Sequence, residues 1–308
     1  GNIPNSYVLN NDNGYFSILK DQPFQNIGMV TDAIWDDFNS DGFADLIIVG
    51  EWMSPKFFRN EKGNFVEELT VNQKLNGLWQ QIIPFDIDND GDTDYLLGNW
   101  GENSKFKASK DHPLKMYYSD FDNNETTETI VCNYNKDGYY PILGLDELAS
   151  QLISLRKKYP SYKNFAGKQI SEIIEKSDLD SAKELNVHTL SSGYLKNINN
   201  QYTFVPFKSE LQIAPITSFL KYDFDDDGTF EILVGGNYFG VTPYHGRFDS
   251  FPGALIKNDS TVILGNKIGL NFSNKAIKSL NIISFKQQPF LMVTVNNDKA
   301  QVYELTNQ

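Results

Sequence analysis

The chain has 308 residues, with 27 Lys and Arg against 40 Asp and Glu, a formal net charge of −13. That length is at the upper end of what one core organises, and 40% hydrophobic residues, among them 22 Phe and 16 Tyr, exclude a disordered chain. One Cys excludes an intramolecular disulfide and a Cys-rich zinc site; no apolar run reaches the roughly 18 residues of a membrane span; and no basic-plus-apolar leader opens the chain, which reads as cytosolic or as a mature or trimmed piece of an exported protein.

In chain order, residues 6–19 (SYVLNNDNGYFSIL) predict a hairpin turning at Asn11–Gly14. VTDAIW and LIIV then flank an acidic segment, 37–45 (DFNSDGFAD), and read as strands. The arrangement recurs three times. LWQQIIPF and YLL flank 86–94 (DIDNDGDTD), PLKMYYS and TIV flank 120–128 (DFDNNETTE), and ITSFLKY and ILV flank 223–231 (DFDDDGTFE). Between the third and fourth copies, Leu145, Leu148, Leu152 and Leu155 stand at helical spacing over 145–158, which Pro160 stops. Residues 167–176 and 178–185 predict two more short helices, the last capped by Ser177. Residues 188–207 predict an outer hairpin belonging with the third acidic segment, and 277–305 a final group of strands without acids.

With a helical insertion near 144–187 removed, the remainder supports about five to six four-stranded units at roughly 40–45 residues per blade. The expected fold is all-β: a single β-propeller domain over 1–308, or an arc of a larger ring, with that insertion inside it. In a closed ring the first strands can complete the last blade and remove open edges, whereas in an arc of a larger ring they need not. A sandwich of hairpins is the structural alternative.

The four acidic segments hold 17 carboxylates and no Lys or Arg, whereas the rest of the chain has 23 acids against 27 bases. Their pattern, D-x-[DN]-x-[DN]-G-x-x-[DE], places oxygens at alternate positions, a turn at position 6 and a closing acid at position 9. Hard cations such as calcium take six to eight oxygens, and this alternation lets a short loop curl round one ion. The candidate ligands are Asp37, Asn39, Asp41, the Phe43 carbonyl and Asp45; Asp86, Asp88, Asp90 and Asp94; Asp120, Asp122, Asn124 and Glu128; and Asp223, Asp225, Asp227 and Glu231. In the third loop Glu125 replaces the turn glycine, and a side chain disfavours the backbone angle required there. Three calcium sites are therefore expected, and a fourth that is weak, distorted or empty. An EF-hand is excluded, because its position-12 Glu is replaced by Ile48, Leu97, Val131 and Val234.

A second repeat follows each apolar run: Gly50-Glu51-Trp52, Gly98-Asn99-Trp100, Cys132-Asn133-Tyr134 and Gly236-Asn237-Tyr238. These turns lie at the strand ends opposite the acidic loops. Aromatic faces beside amides suit sugars or peptides; the competing reading is that the rings wedge between blades. In the irregular stretch 237–251, Tyr244, His245, Arg247 and Asp249 form a further polar group, in which Arg247 is expected to pin the loop by pairing with Asp249 or with an acid of another blade, ligand contact being the alternative.

The DxDxDG-type loops within strand pairs resemble FG-GAP/VCBS repeats, the units of the integrin α-subunit propeller. LLGNWGENSKFKAS (96–109), PLKMYYSDFDNNETTETI (113–130), LISLRKKYPSYKNFAG (152–167) and GGNYFGVTPYHGRFDSFPG (235–253) are similar to the C-terminal region of large bacterial surface VCBS-repeat proteins that carry a cartilage-acidic-protein-like region. The resemblance implies a propeller, calcium in the loops and an extracytoplasmic, cell-surface or outer-membrane location. The function expected is a non-catalytic calcium-binding module for a glycan or protein ligand at the mouth opposite the calcium loops, with no nucleic-acid partner. One alternative is a polysaccharide-active lyase or hydrolase using Glu51 with His245, Arg247 and Asp249. Another is an accessory subunit of an outer-membrane uptake or adhesion complex.

Overall fold

The computed structural model describes residues 6–71, 73–242, 246–259 and 261–305. The fold is all-β and propeller-like, built from antiparallel sheets of short hairpin-linked strands, with the α-helices confined to 145–181. The chain divides into two compact units, one of residues 105–189 and one of the segments on either side.

In the larger unit, each acidic loop joins the first two strands of a four-stranded sheet. The first loop joins Met29–Asp36 to Asp45–Met53, followed in the sheet by Lys56–Glu61 and Asn64–Glu68, with Gly77–Leu78 on the end of the second strand. The second loop joins Gln81–Phe85 to Asp94–Gly98, followed by Gly193–Ile198 and Gln201–Pro206. The fourth loop joins Ile216–Tyr222 to Glu231–Gly236, followed by Ala254–Ile256 and Val262–Leu264. A last sheet holds Ile277–Phe285, Gln288–Val295 and Gln301–Glu304.

The apolar runs after the first, second and fourth loops are strands covered on both faces. Side chains alternate along a strand. Leu46 and Ile48 thus join Phe24, Phe58 and Phe65, whereas Ile47 and Val49 join Trp79, Ile82, Tyr95, Leu97 and Leu195 of the neighbouring sheet. Full burial of each such side chain stabilises the fold by about 1.5–3 kcal/mol. Sheet also packs on sheet through Leu233, Leu255, Phe272, Leu280, Leu291 and Val293. The glycines that end the second strands after the second and fourth loops mark close approaches: a Cβ on Gly98 would lie 2.5 Å from the Ile216 carbonyl oxygen, and one on Gly236 2.3 Å from that of Pro215.

Two expectations are corrected here. The hairpin within 188–207 belongs to the second loop's sheet, since Leu195 pairs with Tyr95, and not to the third. The third loop's sheet closes locally instead: a two-residue turn between Asn135 and Gly138 brings Gly138–Pro141 onto Glu128–Asn135, and so short a hairpin outcompetes a distant one. The N-terminal hairpin, Leu9–Asp12 with Tyr15–Ile18, does not complete the last sheet. Among the described residues its strands pair only with each other, and Val8 and Leu19 pack against the Phe24 cluster.

The smaller unit is a sheet ordered Gly138–Pro141, Glu128–Asn135, Leu114–Ser119, Lys183–Val187, with the third acidic loop between its central strands. Residues 183–185, expected as the end of a helix, belong to the strand Lys183–Val187, which pairs with Leu114–Tyr118; tertiary pairing overrides a weak local propensity. The expected helix over 145–158 breaks into Leu145–Gln151 and Ser154–Lys158. Tyr162–Phe165, Ile170–Ile173 and Lys176–Ser181 follow, the last with Glu175 and not Ser177 at its cap. The predicted leucine stripe is buried, with Leu145, Leu148, Leu152 and Leu155 packing with Ile170 and Ile173 on Tyr117, Ile130 and Cys132. No helix among the described residues is long and apolar enough to cross a membrane.

Candidate metal centres in the acidic loops

All four loops close through the same backbone hydrogen bonds. The carboxylate at position 1 accepts from the amides of positions 5 and 6. Asp37 accepts from Asp41 (2.9 Å) and Gly42 (2.8 Å), Asp86 from Asp90 (3.1 Å) and Gly91 (3.0 Å). Asp120 accepts from Asn124 (3.0 Å) and Glu125 (2.8 Å), Asp223 from Asp227 (3.2 Å) and Gly228 (3.0 Å). The position-5 side chain then accepts from the position-7 amide: Asp41 from Phe43, Asp90 from Asp92, Asn124 from Thr126 and Asp227 from Thr229, at 2.8–3.0 Å.

Position 6 needs a left-handed backbone, with φ of +87° at Gly42, +94° at Gly91 and +88° at Gly228. Glu125 adopts φ +68° and makes the same hydrogen bond. The distortion expected of the third loop is therefore not what the structure shows. A Cβ at any of the three glycines would meet nothing within 4 Å, so the obstacle at this position is backbone strain alone and a side chain fits.

Carboxylates converge in three loops, with oxygens within 4.8 Å of one another: Asp86, Asp88 and Asp90; Asp120, Asp122 and Glu128; Asp223, Asp225 and Glu231. The third loop, expected to be the poor one, belongs to this set. Among the described residues the first loop does not form such a trio, having the amide Asn39 at position 3 with its Oδ1 on the Asp41 amide at 2.8 Å.

Position 9 divides by side-chain length. Glu128 and Glu231 reach the clusters, while each accepts from the position-2 amide, Phe121 at 2.8 Å and Phe224 at 2.9 Å. The shorter Asp45 and Asp94 are buried and accept from the third strand of their sheet, from the Asn60 and Asn197 amides, each at 2.7 Å, Asp94 keeping the position-2 bond as well, from Ile87 at 3.2 Å. Burial pushes the Asp94 carboxyl up to about 6, against the lowering effect of its hydrogen bonds from Asn197 and Ile87. Asp45 and Glu231 are raised by burial too.

Two carboxylate oxygens, Asp45 Oδ2 and Asp88 Oδ1, are buried without a hydrogen-bond partner, a costly state unless a cation completes them. The donors are all oxygen, with no His or Cys in any cluster. This set fits a hard divalent cation and not a soft transition metal.

Composition of the loops alone missed what the third strands contribute. Each carries a basic residue followed by Asn: Arg59-Asn60, Lys196-Asn197 and Lys257-Asn258. The Asn Oδ1 accepts from the amide three residues on, at Gly63 (2.7 Å), Asn200 (2.9 Å) and Thr261 (2.9 Å), and so shapes the outer turn. Asn11 does the same for Gly14 at 2.9 Å. Lys196 reaches Asp88 of the second loop, and Lys257 reaches Asp225 of the fourth at 2.5 Å. The recurring dipeptide was the available signal.

The aromatic repeat is largely structural. Asn99 and Asn237, expected to face a ligand, are buried. Asn99 Oδ1 accepts from Leu78 (3.0 Å) and Trp100 (2.8 Å). Asn237 donates to the carbonyls of Phe251 and Phe272, both at 2.9 Å, and accepts from the Phe251 amide at 3.0 Å. Neither amide has a free edge to offer. Trp100 is buried between Tyr238 and Phe248, with ring centroids at 5.3 and 5.6 Å, which is the wedge reading. In the smaller unit Asn133 pins the backbone of Lys105 and Lys107, and Tyr134 stacks on His112 at 3.7 Å. Glu51 accepts from Gln80 at 3.0 Å, and Trp52 is half-buried with φ +61°. Arg247 pairs with Asp249 at 3.5 Å and lies over Phe239 at 3.8 Å. Tyr244 and His245 fall outside the described residues.

Sheets of this order, each with two of its strands joined by an oxygen-lined loop, define a propeller-like repeat protein with candidate metal centres. Residues 37–97 match the FG-GAP-like repeat family, a span running from the first acidic loop through the second. No curated protein matches the chain.

Proposed function

We propose that the chain is a non-catalytic, calcium-binding module that presents a rigid surface to a glycan or protein ligand outside the cytoplasm. One observation carries this reading: four loops fold alike, with position 1 tied to the backbone, and three of them gather their carboxylates within 4.8 Å. The FG-GAP-like match over 37–97 supports it. Asp86, Asp88 and Asp90 would hold one ion, Asp120, Asp122 and Glu128 a second, and Asp223, Asp225 and Glu231 a third, with Asp37, Asn39, Asp41 and Asp45 as the poorest set. A bound ion supplies positive charge that neutralises the clustered acids and fastens the two strands each loop joins. Loops of this kind saturate at the roughly 10⁻⁴–10⁻³ M affinities of extracellular calcium modules, which favours an exported protein at a bacterial surface, alone or within an outer-membrane assembly.

The ligand surface is assigned to the strand ends opposite the loops, where Glu51, Trp52, Tyr238 and Arg247 retain exposed area. A glycan array probed with and without calcium tests the reading. Calcium-dependent retention of a glycan class is expected. Glycan cleavage by the chain would replace the binding reading with the enzymatic one.

A further inference from the structure

The second and fourth loops contain no base of their own, yet each receives one from the third strand of its sheet. Lys196, on Gly193–Ile198, pairs with Asp88, whose side chain is only 13% exposed. Lys257, directly after Ala254–Ile256, pairs with Asp225 at 2.5 Å and approaches Glu231 at 3.9 Å. Asp88, Asp225 and Glu231 are all members of the converging carboxylate trios.

The other two loops differ. In the first loop's sheet the equivalent base is Arg59, which is turned along its own hairpin to Glu61 (2.6 Å) and Glu68 (2.5 Å). The third loop's sheet has no basic-Asn pair at this place, and among the described residues no ion pair reaches Asp120, Asp122 or Glu128.

We propose that Lys196 and Lys257 are internal counter-cations, each of which a divalent ion must displace from its loop, so that the second and fourth loops fill at higher calcium concentration than their carboxylates alone would require. This inference rests on the ion-binding reading above and adds an order of filling to it. An ammonium among carboxylates lowers their mutual repulsion and holds the loop closed. An arriving dication must break that pair and then tolerate a nearby positive charge. A partly exposed pair of this kind holds its loop closed only weakly, and residual repulsion from the displaced ammonium adds to what the dication must overcome. Removing the lysine charge should therefore tighten its own loop roughly three- to tenfold. Methionine is close to lysine in length and apolar bulk, so it is the substitution that removes charge while keeping bulk.

The loops report separately, because Gly42, Gly91 and Gly228 each donate an amide to the position-1 carboxylate of one loop. Glycine-labelled protein, stripped with a chelator and titrated with calcium, gives one NMR midpoint for each of these three loops. Lys196→Met is expected to lower the Gly91 midpoint three- to tenfold and leave Gly228 in place. Lys257→Met should do the reverse. Lys196→Arg and Lys257→Arg, which keep the charge, should stay near the parent, and Arg59→Met should leave Gly42 unmoved. An unchanged glycine spectrum elsewhere shows that each variant is folded. If the parent responds to calcium and neither methionine variant binds more tightly, the counter-cation role is overturned while ion binding stands. If parent and variants are all silent, both fall. A response only in the methionine variants supports the displacement directly.

Discussion

Glu125 has a φ of +68° where the other loops have glycine, and its amide still reaches Asp120. The left-handed region costs an ordinary residue roughly 1–2 kcal/mol, partly offset by the greater unfolded-state freedom of a glycine put in its place. Glu125→Gly should therefore raise stability by up to about 1 kcal/mol, read as a higher urea midpoint with unchanged slope. The sequence made the strain visible but not its consequence. Whether a loop yields to an unfavourable residue depends on the hydrogen bonds that over-determine its turn, and here Asp120 supplies two of them. Nor did the motif separate the roles at position 9, where one methylene decides whether the carboxylate joins the cluster, as Glu231 does, or ties a neighbouring strand, as Asp94 does.

At the scale of elements, Asp94 links its own loop, through Ile87, to the third strand, through Asn197. Its carboxyl titrates near the ordinary value when unfolded and at about 6 when folded. Between those values the folded state binds more protons than the unfolded one, so this group's contribution to stability falls as pH rises through roughly 4 to 6. In chelator, Asp94→Asn keeps an acceptor for the Asn197 amide and removes the buried charge. The variant should lose this part of the decline, and its stability relative to the parent should grow from pH 4 to pH 7 in paired urea melts. The strands themselves were legible because a strand buried on both faces reads as an unbroken apolar run, as 46–49 does. The hairpin at 193–206 was misassigned because a residue pattern identifies a strand without naming its neighbour. Residues 183–185 were misread because the pairing of their strand with Leu114–Tyr118 decides the outcome over local preference.

For the whole molecule, ions that bind only the folded state stabilise it by mass action, about 2.7 kcal/mol for each site held at a hundredfold excess over its dissociation constant. In a chain of this length that corresponds to several degrees of melting temperature per site. Adding a chelator to calcium-loaded protein should lower the melting temperature by at least that much, and magnesium should restore less of it than calcium. An unchanged melt would remove the structural role assigned to the ions. The propeller-like plan was legible because the loop and its flanks recur. The division into two units was not, since the third loop carries the same motif yet sits between the central strands of a sheet with a different order.

That division shapes how the polypeptide reaches its native state. Tyr95 and Leu195 are partners in one sheet although the whole of 105–189 intervenes. If that intervening stretch were still a random coil, joining its ends would carry the entropic penalty of a very long loop, which grows with the logarithm of its length. The excursion has its own apolar nucleus and local strand pairing, so it can collapse first and draw the two halves of the interrupted sheet together. A lesion in its interior, such as truncation of Leu148, would delay closure of a sheet in which it takes no part.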